Sequence, residues 1–108
     1  MIYELRRYTP HAGKAEALKE RFARVTLPIL DRIGIRVLHC WEDESDPDAL
    51  IYLVVFDDVM KRDAAWKAFG SDAEWKAAKA ASEAEGHLLA SQTTTELRPV
   101  AFSPERPC

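Results

Sequence analysis

Several kinds of segment are missing from this sequence of 108 residues, and each absence argues against a class of protein. No apolar run approaches the roughly 20 residues that a membrane-spanning helix needs. The longest run, Ala49–Phe56, is interrupted by Tyr52. Basic residues are not in excess, since 15 lysines and arginines face 18 aspartates and glutamates and the net charge is −3. We therefore expect neither a membrane span nor a nucleic-acid partner, which normally requires a basic surface.

Cysteine and histidine are also sparse. The two cysteines, Cys40 and Cys108, form no motif, so we expect no disulfide scaffold and a reduced, cytoplasmic protein in which Cys40 is a small buried side chain. The three histidines are far apart and none has the His-x-x-x-His spacing of a metal site. No metal and no other cofactor is predicted, and no histidine is marked as an axial ligand for haem.

Four strands and three helices are predicted from the spacing of apolar residues and from turn residues. The strands are predicted at Ile2–Thr9, Ile35–Asp43, Ala49–Phe56 and Leu88–Leu97. The helices are predicted at about Lys14–Ile33, Val59–Phe69 and Asp72–Glu85.

Local signals refine the helix boundaries. Pro28 lacks a backbone N–H, so the first helix should bend or step there, and Gly34 suits its C-terminal cap. Ser71 and Glu74 have the Ser-x-x-Glu spacing of a capping box, which predicts that Ser71 caps the third helix.

The resulting order, β-α-β-β-α-α-β, predicts an α+β fold of the ferredoxin-like, split βαβ type. Its four-stranded antiparallel sheet should have the strand order 4-1-3-2, with all helices on one face. We expect a single domain over residues 1–99 and a C-terminal tail over residues 100–108.

The pattern of the third strand predicts a partner for this sheet. Ala49–Phe56 is apolar on both faces, whereas a strand with one face in water should alternate between apolar and polar residues. The chain has no second layer to cover the free face. A second copy is the simplest cover, so we predict a homodimer in which the open sheet faces meet.

Three segments resemble the NIPSNAP family. They are Tyr3–Thr9 followed by Pro10-x-x-Gly13-Lys14, Gly34-x-x-Val37 followed by Trp41, and Ala65-Trp66-x-x-Phe69-x-x-Asp72-x-Glu74-Trp75. The resemblance extends from about Ile2 to Pro99, and its one departure is Ala73, where that family commonly has proline.

The resemblance implies a dimeric α+β barrel, in which two sheets close into one barrel with the helices outside. It implies little about activity, because related barrel families include cofactor-independent monooxygenases, isomerases and haem-using enzymes. Fold similarity of this breadth is a weak guide to chemistry.

Polar residues on two strands are candidate ligand-binding groups. Alternation places Glu4, Arg6 and Tyr8 on one face of the first strand, where they could orient a small ligand or transfer a proton, or could form a buried ion-pair network. Alternation also groups His39 with Val37 and Trp41 on one face of the second strand. His39 could act as a general acid or base, or could be a hydrogen-bonded core or interface residue.

Aromatic residues of the second and third helices supply a further candidate. Trp66, Phe69 and Trp75 could line an apolar pocket between the helices and the sheet, or could simply pack in the core. The candidate ligand-binding residues are therefore Glu4, Arg6, Tyr8, His39, Trp41 and Trp66, with no catalytic residue assigned.

Two functions remain open. The first is a homodimeric domain of the NIPSNAP type, of unknown function, that binds a small apolar ligand or a protein partner without catalysis. The second is a cofactor-independent monooxygenase or isomerase acting on a small aromatic or polyketide-like substrate. Polar side chains converging on a cavity of a few hundred cubic ångströms would favour the enzyme. A filled interior with Glu4 paired to Arg6 would favour the binding protein.

Overall fold

The computed structural model describes residues 1–104. Its regular elements, in chain order, are β1 (Ile2–Pro10), α1 (Ala15–Arg21), a π-helical segment (Phe22–Thr26), α2 (Leu27–Ile33), β2 (Arg36–Asp43), β3 (Asp46–Phe56), α3 (Val59–Ser71), α4 (Ala73–Ser82) and β4 (Leu89–Leu97). The last part of the predicted tail, residues 105–108 with Cys108, lies outside the described residues.

The four strands form one antiparallel sheet in the order β2-β3-β1-β4, which confirms the predicted topology. The two central strands, β1 and β3, are in a register that pairs Glu4 with Val54, Arg6 with Tyr52 and Tyr8 with Leu50. Paired residues of neighbouring strands lie on the same face of a sheet. The polar residues of β1 therefore share one face with buried residues of β3.

The helices cover that face, which we call the helix face. The core cluster between them and the sheet contains Phe22, Leu30, Ile35, Leu50, Tyr52, Val54 and Phe56. On the opposite face, the open face, Leu5, Ile51 and Leu53 are only half-buried and Trp41 is 44% exposed. The two faces of this sheet therefore differ in how much of their apolar surface the chain itself covers. None of the described helices is long and apolar enough to cross a membrane.

The first helical region contains the irregularity that Pro28 predicts. The π-helical segment Phe22–Thr26 lies directly before the turn that holds Pro28. Proline cannot donate to the carbonyl four residues earlier, and a wider π turn is a common way to accommodate a break in the α-helical bonding pattern. The region ends as predicted at Gly34, which has a positive φ of 97° and lets the amide of Ile35 donate to the carbonyl of Leu30.

The predicted cap of the last helix is wrong. Asp72, not Ser71, occupies the N-cap of α4, and its carboxylate accepts a hydrogen bond of 2.9 Å from the amide of Trp75. Ser71 instead belongs to α3 and its hydroxyl donates to the carbonyl of Lys67. A carboxylate three residues before the helix amide can cap as well as a hydroxyl, so the Ser-x-x-Glu spacing did not determine the boundary.

A β-bulge in β2 corrects the predicted faces of that strand. Val37 pairs with Val54, but the next pair is His39 with Leu53, so Leu38 is an extra residue. After this insertion, alternation continues with the opposite phase. His39 and Trp41 therefore lie on the open face, whereas Val37 lies on the helix face, and the predicted grouping of His39 with Val37 is wrong.

Cys40 differs from its prediction for a related reason. It pairs with Tyr52 and so faces the helix side, but β2 is an edge strand and the side chain is exposed rather than buried. The prediction assumed that a small apolar side chain within a strand would be covered by the core.

Candidate functional site

A cleft of about 280 Å³ lies on the helix face between the sheet and the helices. It is lined by residues of all these elements, namely Arg6, Tyr8, Leu18, Arg21, Phe22, Thr26, Trp66, Phe69, Gly70, Trp75, Lys79, Glu83, His87, Leu89 and Gln92. The edge strand β4, which is exposed along almost its whole length, contributes Leu89 and Gln92 to the lining. Its volume is just below the range of roughly 300–1,000 Å³ that is typical of ligand sites.

A larger depression of about 490 Å³ lies at the other end of α3, beside the end of α2. Small aliphatic side chains form much of its wall, including those of Ala64, Ala65 and Ala68. None of the predicted ligand-binding residues lines it. The smaller cleft is the candidate site because polar and aromatic groups converge there.

Aromatic rings form one wall of the cleft. The ring centroids of Trp66 and Phe69 are 5.9 Å apart in an edge-to-face arrangement, and those of Phe69 and Trp75 are 4.7 Å apart. Such pairs stabilise each other beyond the area that they bury. The wall is therefore both packed and apolar, which combines the two interpretations that the sequence left open for these residues.

Glu4 and Arg6 are held together behind this wall. One carboxylate oxygen of Glu4, Oε1, accepts hydrogen bonds from Nε of Arg6 at 3.2 Å and from Nε1 of Trp66 at 2.8 Å. Nε of Arg62 lies 3.8 Å from the other oxygen. The guanidinium of Arg6 lies over the Trp66 ring, 3.9 Å from its centroid. A carboxylate that is only 3% exposed is thus fully compensated by two cations and an indole donor.

Tyr8 continues the polar side of the cleft, and the fully buried Tyr52 lies behind it. The hydroxyls of Tyr8 and Tyr52 are 2.7 Å apart, and their rings pack edge to face. Burial, together with the neighbouring Tyr8, raises the pKa of Tyr52 above that of an ordinary tyrosine. Tyr52 therefore stays protonated at neutral pH and acts as a hydrogen-bonding group rather than as a base.

A buried ion pair closes the far end of the cleft. Nη1 of Arg21 donates to Glu83 at 2.8 Å and to the Ser82 hydroxyl at 3.1 Å, and the guanidinium lies 5.1 Å from the centroid of the Trp75 ring. Burial alone would raise the pKa of Glu83, but hydrogen bonds from Arg21 and His87 outweigh it and lower the pKa. The carboxylate therefore stays ionised and fixes the end of α4 against α1.

This ion pair was not predicted from the sequence. Arg21 lies three residues after Leu18, on the inward side of the first helix, and an arginine there is a signal that could have indicated a buried partner. Glu83 and His87 carried no comparable signal, because their contact with Arg21 depends on how α4 is placed.

The six predicted ligand-binding residues do not form one group. Arg6, Tyr8 and Trp66 line the cleft, and Glu4 contacts two of them from behind. His39 and Trp41 stack on each other on the open face, with ring centroids 5.3 Å apart. In the described part of the chain, no three histidine, cysteine or carboxylate side chains lie close enough to hold a metal ion.

The features that were to separate the two functions are mixed, because the interior is not filled but Glu4 is paired with Arg6. Polar side chains converge on a cavity of a few hundred cubic ångströms, as expected for an enzyme. Glu4 is paired with Arg6, as expected for a binding protein. The pairing occupies the carboxylate that could otherwise serve as a base, which favours binding over proton transfer.

Comparisons with known proteins agree with this architecture. The model of the NIPSNAP family matches residues 3–104. An uncharacterised NIPSNAP domain protein from Burkholderia xenovorans is 25% identical, with a TM-score of 0.82 over 97% of this chain and 100% of that chain. A NIPSNAP family protein from Agrobacterium tumefaciens is 21% identical, with a TM-score of 0.82 over 97% of this chain and 98% of that chain.

More distant similarity extends to an enzyme. SnoaB, a cofactor-independent oxygenase from Streptomyces nogalater, is 19% identical, with a TM-score of 0.65 over 96% of this chain and 97% of that chain. At this identity the similarity concerns the fold alone. No curated protein matches the chain.

Proposed function

Because the chain belongs to the NIPSNAP family, we propose that it works as a homodimer in which each chain holds a small, largely apolar molecule in the helix-face cleft. The observation that carries this proposal is the aromatic wall of the cleft, formed by Trp66, Phe69 and Trp75. Rings of this kind supply a large apolar contact area, and a few polar groups beside them can fix the orientation of a ligand.

The open face supports the homodimer. Leu5, Ile51 and Leu53 lie next to one another across the central strands of this face, where the chain supplies no covering layer. Contiguous apolar surface of this kind favours a protein interface, and a second copy brings the same surface. A different protein partner on this face is the alternative occupant.

The proposal also covers the cellular compartment and the type of partner. The free and exposed thiol of Cys40 is compatible with a reducing compartment, and we place the protein in the cytoplasm. With a net charge of −3, no nucleic-acid partner is proposed.

The dimer is tested by light scattering at micromolar concentration. The wild-type protein should have the mass of two chains, and Leu53→Glu should have the mass of one, because it would bury an unpaired carboxylate at the centre of the interface. Ala81→Glu, which adds the same charge on the exposed side of α4, should remain dimeric. A monomeric wild-type protein would refute the dimer.

Ligand binding is tested with the uncharged fluorophore N-phenylnaphthylamine. It should bind saturably at one site per chain. Gly70 lines the cleft, and a Cβ added there meets no atom within 4 Å, so Gly70→Phe should fold and fill the cleft. We expect this variant to weaken binding at least about tenfold, whereas Ala77→Phe on the exposed side of α4 should not. Equal binding by both variants would contradict the proposed site.

A cofactor-independent oxygenase is the second candidate, and the convergence of Arg6, Tyr8 and Gln92 on one side of the cleft favours it. These groups could hold a phenolic substrate during its reaction with dioxygen. Oxygen uptake with a polycyclic phenol, lost in Gly70→Phe, would support this candidate. Binding of the same phenol without oxygen uptake would support the non-catalytic proposal.

A further inference from the structure

The charges that line the cleft do not cancel. Three lining side chains, those of Arg6, Arg21 and Lys79, are cationic, and one, that of Glu83, is anionic. Arg21 and Glu83 neutralise each other through their buried ion pair. Among the lining side chains, positive charge therefore remains at Lys79 and at Arg6, whose counter-charge, Glu4, does not itself line the cleft. A cleft with low-dielectric aromatic walls concentrates the field of such charges and favours an anionic ligand.

Glu4 does not fully neutralise Arg6. It occupies only Nε–H among the five N–H donors of the guanidinium. The same carboxylate oxygen also accepts from Trp66, and Arg62, 3.8 Å from the other oxygen, has closer partners in Asp63 and Glu96. Arg6, whose side chain is 16% exposed, is thus held in place by Glu4 and Trp66 while it keeps donors for a further acceptor.

The tyrosine pair adds a directed donor beside Arg6. Tyr52 is fully buried, and its hydroxyl lies 2.7 Å from that of Tyr8, with either oxygen able to donate. Because only Tyr8 of the two lines the cleft, a proton donated by Tyr52 to Tyr8 leaves the proton of Tyr8 for a group in the cleft. Chains of hydrogen bonds of this kind polarise one another and strengthen the terminal donor.

We infer that the molecule held in the cleft is an organic acid with a flat apolar body and one negatively charged group. The charged group accepts from Arg6 and Tyr8, and the body lies against the rings of Trp66, Phe69 and Trp75. This inference rests on the proposed function, to which it adds the chemical class of the ligand.

Two fluorophores with the same aromatic body test separately whether the cleft binds an apolar molecule and whether it prefers an anionic one. N-phenylnaphthylamine is uncharged, and anilinonaphthalene sulfonate carries one anionic group. Both are titrated against the wild-type protein, Arg6→Met, Arg6→Lys, Tyr8→Phe and the control Arg24→Met, whose side chain is 79% exposed on the same helical region as Arg21. Circular dichroism and light scattering first establish that each variant is folded and has the wild-type mass.

The sulfonate should bind Arg6→Met at least about tenfold more weakly than the wild type, since a hydrogen bond to a charged group is lost. The uncharged fluorophore should change less than about twofold. Arg6→Lys should recover part of the loss, Tyr8→Phe should show a smaller selective loss, and Arg24→Met should show none.

If both fluorophores bind the wild type but Arg6→Met weakens them equally or not at all, the acidic ligand is refuted and the apolar site stands. If neither binds the wild type, both the site and its ligand class are refuted. Should Arg6→Met fail to fold, the selective loss in Tyr8→Phe decides the question in the same way.

Discussion

The two faces of the sheet have opposite chemistry. The helix face, which the chain covers itself, contains the charged and hydroxylated side chains of Glu4, Arg6 and Tyr8. The open face, which the chain leaves uncovered, is apolar at its centre around Leu5 and Leu53. A sheet with one face in water shows the reverse distribution. The two faces therefore suit different tasks. The apolar open face favours association with another protein surface, and the helix face supplies polar groups that can orient a ligand.

The polar residues of the helix face are tolerated because each has a partner inside the chain. In the described residues, no buried side-chain nitrogen or oxygen lacks a hydrogen-bond partner. A buried hydrogen-bond network of this kind needs neighbours that hold each polar group in place, and the aromatic wall of the cleft supplies them. The open face also carries charge beside its apolar centre, since Arg7 is in register with Ile51 and pairs with Asp43 at 2.7 Å and with Asp46 at 3.2 Å.

The largest expected effect distinguishes the tryptophans of the two faces. Trp66→Ala should lower the free energy of unfolding by about 3–5 kcal/mol, because it removes ring packing and a donor to the buried Glu4. Trp41→Ala should lower it by less than about 1 kcal/mol, because Trp41 is 44% exposed in the single chain.

Both changes are measured by urea denaturation in the Leu53→Glu background, so that a dimer does not contribute to either value. Similar losses of unfolding free energy in the two tryptophan variants would contradict this difference, since the open face would then contribute as much to the stability of the single chain as the helix face does.

A smaller effect is expected for the buried carboxylate. Glu4→Gln keeps the shape of the side chain but leaves Arg6 and Arg62 without this counter-charge, so it should lower the free energy of unfolding by about 1–3 kcal/mol. Glu96→Gln, which changes an exposed partner of Arg62, should cost less than about 1 kcal/mol in the same urea experiment. Equal costs would show that burial on the helix face does not strengthen the Glu4 pairing.

The smallest effect concerns the ion pairs that Arg7 makes on the open face. Hydrogen bonds from Arg7 and Ser45 lower the pKa of Asp43 to about 2. A group with a lowered folded-state pKa stabilises the protein above its unfolded pKa and loses that contribution as the pH falls toward the folded value. Melting temperatures measured between pH 4 and pH 2 should therefore fall more steeply for the wild type than for Asp43→Asn. The control Asp48→Asn should follow the wild type, and a parallel fall in all three would contradict the assignment.

Much of the fold could be predicted because its signals are local. Periodicity identified the four strands and the long first helix, and Gly34 and Pro28 marked where that helix ends and where it is irregular. The strand order followed from the order of elements. The boundary at Ser71 was wrong because Asp72, one residue later, offered an equally good cap, and only packing decides between neighbouring caps.

The site was predicted less completely, since it depends on pairings between distant segments. Arg6, Tyr8 and Trp66 were found because each is a polar or aromatic residue within a clear element. The side of His39 was missed because the bulge at Leu38 exists only in the pairing of β2 with β3. The contact between Arg21 and Glu83 joins segments 62 residues apart, which no local pattern records.

The π-helical segment has a consequence for how this protein could change over time. A π turn contains one residue more than an α turn, so it rotates α1 against α2 by about 100°, the angle of one residue in an α-helix. Deleting a single codon within Phe22–Thr26 would restore regular helix and turn Leu18 and Arg21 away from the cleft, while the β-sheet stayed in place. A one-residue insertion or deletion is thus a short mutational route by which related chains could acquire differently shaped clefts on the same scaffold.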